Sequence, residues 1–405
     1  MRTDNRESQG PPAPPALARV EAHVLRWPVQ VPVRTSFGVM HDRPAVLVRV
    51  EDSGGAFGWG EAWCNFPACG AEHRARLIET VLAPLVIGRS FASPRAAFVA
   101  LSERTAVLAM QSGEPGPIAQ AIAAIDIAMH DLAARRAGLP LSRHLLGADA
   151  VTGVGGRADE RAGVVPARGV RVYASGINPD GAGEAVEALR RAGHTAFKLK
   201  VGFDHALDVA NLAAVRAAAG TGAMIMVDAN QAWDVDAAID MSRRFAEHAP
   251  AWLEEPLRAD RPWREWQGLA QATSIPLAAG ENVSGSEAFD ALIESRAIAI
   301  VQPDVAKWGG VSGMLDVSDR IAAAGLRFCP HYLGAGIGLL ASAHVVAARG
   351  SAASLLEVDS NQNPLRTRLC PALGGLSAGR IELGEEPGLG VIPDLAELRA
   401  MCAGR

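Results

Sequence analysis

Six acids and bases stand where short apolar runs end. Asp228 closes MIMVD, Glu281 closes IPLAAGE, Asp304 closes AIAIVQPD and His331 closes LRFCPH, while Glu254 lies near the end of AWLEEP and Glu357 near the end of SLLEVD. A seventh run, FKLKV at 197–201, carries Lys198 and Lys200. Residues two apart on a strand share a face. Two ammonium groups therefore face inward together, where repulsion and desolvation are both costly. Taken singly, each strand-end acid reads as a helix cap or a solvated turn residue, and the histidine as a satisfied structural one. The repeat superimposes them, and it is the ring as a whole that points to chemistry.

The residue types divide the labour. Asp228, Glu254 and Glu281 offer three hard oxygen ligands with no Cys or His among them, which favours Mg²⁺ over Zn²⁺. Without a dication they would repel one another. Glu255, next to Glu254, is expected to point away by strand alternation. Asp304 bonded to one ring nitrogen of His331 leaves the other free as a base and stabilises the protonated ring. Across the ring each lysine lowers the pKa of the other, which makes a base near neutral pH. A metal flanked by two bases suits removal of a proton from carbon next to a carboxylate. The charge that develops on the enolate oxygens is stabilised by the cation, and Glu357 could share a proton with the substrate carboxylate if its own pKa is raised.

The elements that must position these groups are repetitive. From residue 170 onward, β-like runs recur roughly every 25 residues, starting with VRVYASG at 170–176, with Ala- and Leu-rich helical stretches between them. Continuous apolar strands suit a parallel sheet covered on both faces. Eight of them predict an α/β fold, a closed (β/α)8-type barrel with its site at the C-terminal strand ends. An open doubly wound sheet is the alternative, but no glycine-rich dinucleotide fingerprint follows the first strand. GVGGRADE at 153–160 has neither a clear strand before it nor a helix after it. The first part reads as an α+β domain with three antiparallel strands and helices at about 72–86, 93–111 and 117–136. The expected division is a disordered tail (1–18), an α+β capping domain (19–147), a linker (148–169), the barrel (170–371) and a C-terminal segment (372–405) returning to the capping domain.

Bulk properties exclude some classes. Of 405 residues, 49% are hydrophobic and 20% charged, with a net charge of −5, so no attraction to nucleic acid or membrane is implied. Five scattered cysteines point to free thiols in a reducing compartment. No apolar run is long enough to span a bilayer. The start, MRTDNRESQGPPAPPAL, lacks a signal core, so the cytoplasm is expected.

The motifs as a set resemble the enolase superfamily, and within it the mandelate racemase group. They are KLK at 198–200, VDANQAW at 227–233, LEEP at 253–256, GEN at 280–282, PDVAKWGGVSG at 303–313 and PHYLGAGIGLLASAH at 330–344. GWGEAW at 58–63 and AIAAIDIAMHDLAARRAGLPLSRHLLG at 121–147 resemble that family's capping domain. The resemblance implies a modified (β/α)7β TIM barrel. It makes Asp228, Glu254 and Glu281 the Mg²⁺ ligands, and Lys200 the base on one face with Lys198 on the substrate carboxylate. It puts His331 with Asp304 on the other face and Glu357 at the enolate. Asn230 and Asn282 match polar residues near metal and substrate. Two cap loops, 35–44 and 63–74, would set selectivity through candidates such as Phe37, His41, Trp63, Asn65, Phe66, His73 and Arg74.

Two outcomes use this machinery. If His331 as imidazolium protonates a leaving β-hydroxyl, the enzyme is a dehydratase of a sugar acid or other hydroxy acid. If it returns the proton to the opposite face, the enzyme is a racemase or epimerase. The first is preferred, and mandelate is not the expected substrate because LLEVDSNQNPLRT departs from the racemase proper. A metal-dependent hydrolase would need more histidine ligands, and a non-catalytic binding protein would have lost a ligand or base. The expected partner is a small carboxylic acid, and the resemblance implies a homo-oligomer, dimer or octamer.

Overall fold

The computed structural model describes residues 14–35, 38–152 and 169–403. Three antiparallel strands, β1 (Leu17–Thr35), β2 (Gly38–Asp52) and β3 (Phe57–Ala62), pair in the order β1-β2-β3. The register slips between Pro28 and Val33, where Pro28 and Pro32 offer no N–H to the ladder. The Ala/Ile-rich helix Pro115–Arg136 lies on this sheet with most of its length buried.

Two glycines set how closely that helix approaches. A Cβ on Gly60 would stand 1.9 Å from the Ala124 carbonyl oxygen, and one on Gly58 2.1 Å from that of Ala128. Only glycine lets the two backbones meet at this distance. Gly60→Ala is therefore expected to cost about 3 kcal/mol, the upper end of overpacking penalties. A lowered urea midpoint at unchanged m-value checks it.

Eight parallel strands follow: β4 (Gly169–Ile177), β5 (Ala196–Lys200), β6 (Met224–Asp228), β7 (Leu253–Glu254), β8 (Leu277–Ala279), β9 (Ile300–Val301), β10 (Arg327–Phe328) and β11 (Leu356–Asp359). They run in the order β10-β9-β8-β7-β6-β5-β4-β11. The two ends of this path meet where the Glu357 N–H donates to the Pro330 carbonyl at 3.4 Å, which curls the sheet into a barrel. Several ladders are shorter than the apolar runs. AWLEEP keeps only Leu253–Glu254 in its ladder, because the run continues into the loop that carries Glu255. The chain between strands is helical, and Asp204 and Asp234 cap the helices His205–Ala219 and Val235–Phe245.

The barrel is filled. Tyr173, Ala196, Met226, Trp252, Ala278, Ile300, Cys329 and Leu355, one on or beside each strand, form a separate buried cluster. Small residues (Ala196, Ala278, Cys329) are interspersed among large ones, and Tyr173 and Trp252 meet edge to face at 5.5 Å. This plug is a floor beneath the ionisable ring.

The antiparallel domain grips the barrel with buried charge. Glu61 of β3 accepts from the N–H groups of Ala335 (2.6 Å) and Gly338 (3.0 Å), at the start of helix Gly336–Arg349. Asp126 accepts from the Ser312 N–H (2.9 Å) and hydroxyl (2.6 Å), at the start of helix Gly310–Ala323. Neither barrel helix has a side-chain cap from its own N-cap residue, so carboxylates from the other domain satisfy the exposed N–H groups. Gly310, at φ +56, leaves room for Asp126: a Cβ there would lie 2.3 Å from its Oδ2. Arg43 of β2 pairs with Asp359 at the end of β11, at 2.5 Å and with both side chains buried.

The segment read as a linker begins inside a helix, Leu141–Thr152, and ends at the first residue of β4. Residues 153–168, GVGGRADE included, lie outside the described residues, as do residues 1–13 of the tail. Near the C-terminus, β12 (Arg380–Glu382) pairs antiparallel with β4. Further on, the Leu389 N–H donates to Asp131 at 2.7 Å and Val391 accepts from Arg135. All five cysteines are free. Among the described residues no helix is long and apolar enough to cross a membrane.

Candidate active site at the barrel mouth

The strand ends deliver the ring as one cluster. Lys200 pairs in register with Asp228, and Asp228 with Glu254, so neighbouring strands set these groups at one level. The Lys198 ammonium contacts Glu254, lies 3.0 Å from Glu357 and 3.5 Å from Asp228, and is fully buried. Lys200 reaches Asp228 at 2.6 Å. On the other side, His331 places Nδ1 2.6 Å from Asp304 and Nε2 2.7 Å from Glu281 and 3.9 Å from Glu357.

The lysines do not behave as expected from their repulsion. Burial lowers the pKa of Lys200 most and the Lys198 charge lowers it further, but Asp228, Glu281 and Glu254 together outweigh both and the net shift is upward. Lys198 is held charged in the same way: Glu254 and Glu357 overcome its desolvation. Each ammonium is in direct contact with a carboxylate, Lys198 with Glu254 and Lys200 with Asp228, and the surrounding acids together outweigh the repulsion between the lysines. Burial would neutralise His331, yet Glu281, Glu357 and Asp304 push it up to about 10. Glu254 rises to about 7, because burial and the neighbouring acids exceed the pull of Lys198.

The acids fit a divalent cation by donor type. All three are oxygen ligands from successive strands, and the Lys198 ammonium already bridges two of them, Asp228 and Glu254. Among the described residues no three such side chains form a ready-made metal cage. The physical reason is that each carboxylate is turned to its own cation: Asp228 to Lys200, Glu254 to Lys198, and Glu281 to His331 and Lys307.

Other expected residues fall in varied places. Glu255 does not point away. It has φ +37, which breaks strand alternation, and its buried carboxylate accepts from Asn282 Nδ2 at 3.0 Å through both oxygens. The same nitrogen reaches Glu281 at 3.0 Å, and Asn282 Oδ1 accepts from Lys307 at 3.2 Å, so Asn282 ties the acids together. Asn230 folds back on Asp228 through its backbone N–H at 2.8 Å. Trp63 is half-buried with the Lys307 ammonium 5.1 Å over its ring. His41 is exposed on β2, and Phe37 lies outside the described residues. Asn65 is buried and donates to the Leu333 carbonyl at 2.6 Å. Arg74 donates to Gln120 at 2.8 Å and to the Phe66 carbonyl at 3.4 Å, while His73 faces Glu114 at 3.1 Å.

Four site residues were not singled out from sequence. Lys307 contacts Glu281 at 3.1 Å. Gln302 donates to Glu254 at 2.6 Å and the Trp252 indole does so at 3.2 Å. The Tyr173 hydroxyl donates to Glu357 at 3.1 Å. Lys307 could have been found, since it follows Asp304 by three residues in a loop at the mouth. The others come from inward positions one layer down, where an aromatic or amide reads as ordinary core.

The comparisons agree with this geometry. A family model described as mandelate racemase/muconate lactonizing enzyme, N-terminal domain, matches residues 19–147, and one described as enolase C-terminal domain-like matches 181–397. The solved structure of a mandelate racemase/muconate lactonizing enzyme from Bordetella bronchiseptica RB50 is 56% identical with a TM-score of 0.87, covering 96% of this chain and 99% of that one. D-galactarolactone cycloisomerase of Agrobacterium fabrum is 27% identical over 390 residues, 93% of this chain and 96% of its own. L-talarate/galactarate dehydratase of Salmonella typhimurium is 37% identical over 226 residues, which are 54% of this chain and 52% of that enzyme.

Proposed function

The chain belongs to the mandelate racemase/muconate lactonizing enzyme family of the enolase superfamily, and from that footing we propose that it removes the proton next to a substrate carboxylate and then expels a β-hydroxyl, as a dehydratase of a sugar acid or another hydroxy acid. Members of this superfamily use Mg²⁺. Here Asp228, Glu254 and Glu281 would hold it. When bound, the ion stabilises the negative charge that develops on the carboxylate oxygens.

The chain's own groups do the rest. Lys200, beside Asp228 at 2.6 Å, would take the α-proton as the base on one face, and Lys198 would steady the substrate carboxylate. Glu357 is fixed by Tyr173 and Lys198. Burial would raise its pKa, but Lys198 and His331 bring it below the usual carboxylate range, so it would face the enolate as an acceptor for the O–H of a protonated carboxylate oxygen rather than as a proton donor. His331 gives its proton to the departing hydroxyl, and Asp304 stabilises the imidazolium and fixes which nitrogen faces the substrate.

One observation carries this reading: Lys200 enters the acid cluster through Asp228, while the Asp304-backed imidazole enters it through Glu281. A base and an acid at different ends of one carboxylate set are what stepwise elimination requires. The similarity to a galactarate dehydratase supports the elimination outcome. The test is incubation of a panel of hydroxy and sugar acids with Mg²⁺ in D₂O. A 2-keto acid is the expected product. Deuterium at Cα of recovered, inverted substrate with no keto acid would instead assign a racemase or epimerase.

A further inference from the structure

A cleft of about 380 Å³ opens beside Glu281, walled by Trp63, Gln120, Gln231, Lys307 and Trp308. Its volume is that of a small-molecule pocket. It adjoins the ring directly, because Glu281 lines it and also contacts His331.

Its two glutamines are oriented in advance. Gln120 Oε1 accepts from Arg74 Nε at 2.8 Å, and Gln231 Oε1 accepts from the Ala259 N–H at 2.8 Å. An oxygen held by an N–H fixes which end of the amide is the NH₂. Neither NH₂ group has an acceptor among the described residues. Gln231 is also held in a strained backbone, at φ +66 directly after Asn230 at φ +44. Such strain persists where surrounding structure imposes it, often at ligand sites. Lys307 is held by Glu281, Asn282 and the Trp63 ring. The cleft therefore presents amide donors in a wall that also carries the Trp63 and Trp308 indoles.

We propose that this cleft receives the hydroxyl-bearing carbon chain of the substrate beyond its reacting end, with Gln120 and Gln231 donating to hydroxyl oxygens and the Trp63 and Trp308 indoles covering its C–H faces. The ligand class is a polyhydroxylated carboxylic acid. The assignment rests on the proposed reading of the adjoining acids as the carboxylate-binding end. It places selectivity on helix Pro115–Arg136 and on the loop after β6, in addition to the two cap loops.

Gln120→Glu and Gln231→Glu keep the oxygen that Arg74 and Ala259 need and remove the donor. Affinities for glycolate and for a stereochemical panel of six-carbon aldonates and aldarates are measured by calorimetry with Mg²⁺. The wild type is expected to bind its best six-carbon acid at least ten times more tightly than glycolate, and each variant to reduce that ratio about tenfold. Glycolate reports any effect of the added charge on the metal end, and uncharged Gln231→Met should shift the ratio in the same direction. Glycolate binding with no preference for longer acids, or a ratio unmoved by all three variants, overturns the subsite alone. Absence of binding by any acid overturns the proposed reaction and the subsite with it.

Discussion

Replacing His331 with asparagine is expected to lower turnover by about 10²–10⁴-fold, the contribution of a positioned acid or base. Asparagine keeps a polar side chain in the buried slot between Asp304 and Glu281 but has no transferable proton near neutral pH. On the proposed mechanism, elimination loses the group that protonates the leaving hydroxyl. The proposed mechanism gives removal of the α-proton to Lys200, which meets the acids through Asp228 rather than through His331. Deuterium exchange at Cα should therefore outlast keto-acid formation in this variant. Turnover and exchange that are both unchanged would remove His331 from the mechanism. Loss of both in equal measure would show that the imidazole, not Lys200, takes the proton.

Glu254→Gln is expected to weaken Mg²⁺ binding by more than about 100-fold, since outer partners of metal ligands already account for 10–100-fold. Activity at ordinary magnesium should fall with it. The variant remains folded by this reasoning, because Lys198 keeps Glu357 at 3.0 Å and Asp228 at 3.5 Å as partners. Calorimetric titration with Mg²⁺ checks the affinity. Full wild-type activity in excess EDTA would refute the metal assignment at once, whatever the variant does.

The barrel and its ring were legible because period and chemistry coincide. Apolar runs spaced one strand-loop-helix unit apart, each ending in an ionisable residue, can be superimposed without coordinates, and Lys200, Asp228 and Glu254 duly meet in register. What was not legible depends on distance in three dimensions. The two lysines looked like a mutually repelling pair, because no sequence rule says that Glu254 and Asp228 contact them directly and that other acids of the ring reinforce that pull. Glu255 was placed outside by alternation, but its ladder is only two residues long and ends before it. Gln302 and Trp252 touch Glu254 from inward positions that read as barrel filling. In sequence the glycines of GWGEAW carry only a family resemblance; the Ala124 and Ala128 carbonyls explain why Gly58 and Gly60 must be glycine.

The carboxylates of Glu61 and Asp126 have a consequence for how this protein can be dissected. Each settles the first turn of a helix that belongs to another folding unit, so a barrel produced by itself would begin two of its helices with unanswered amides. Chimeras that exchange the front third between relatives inherit the same obligation: a graft succeeds only when the donor brings an acid to both positions. What looks in sequence like a detachable specificity module is, energetically, part of the scaffold it covers.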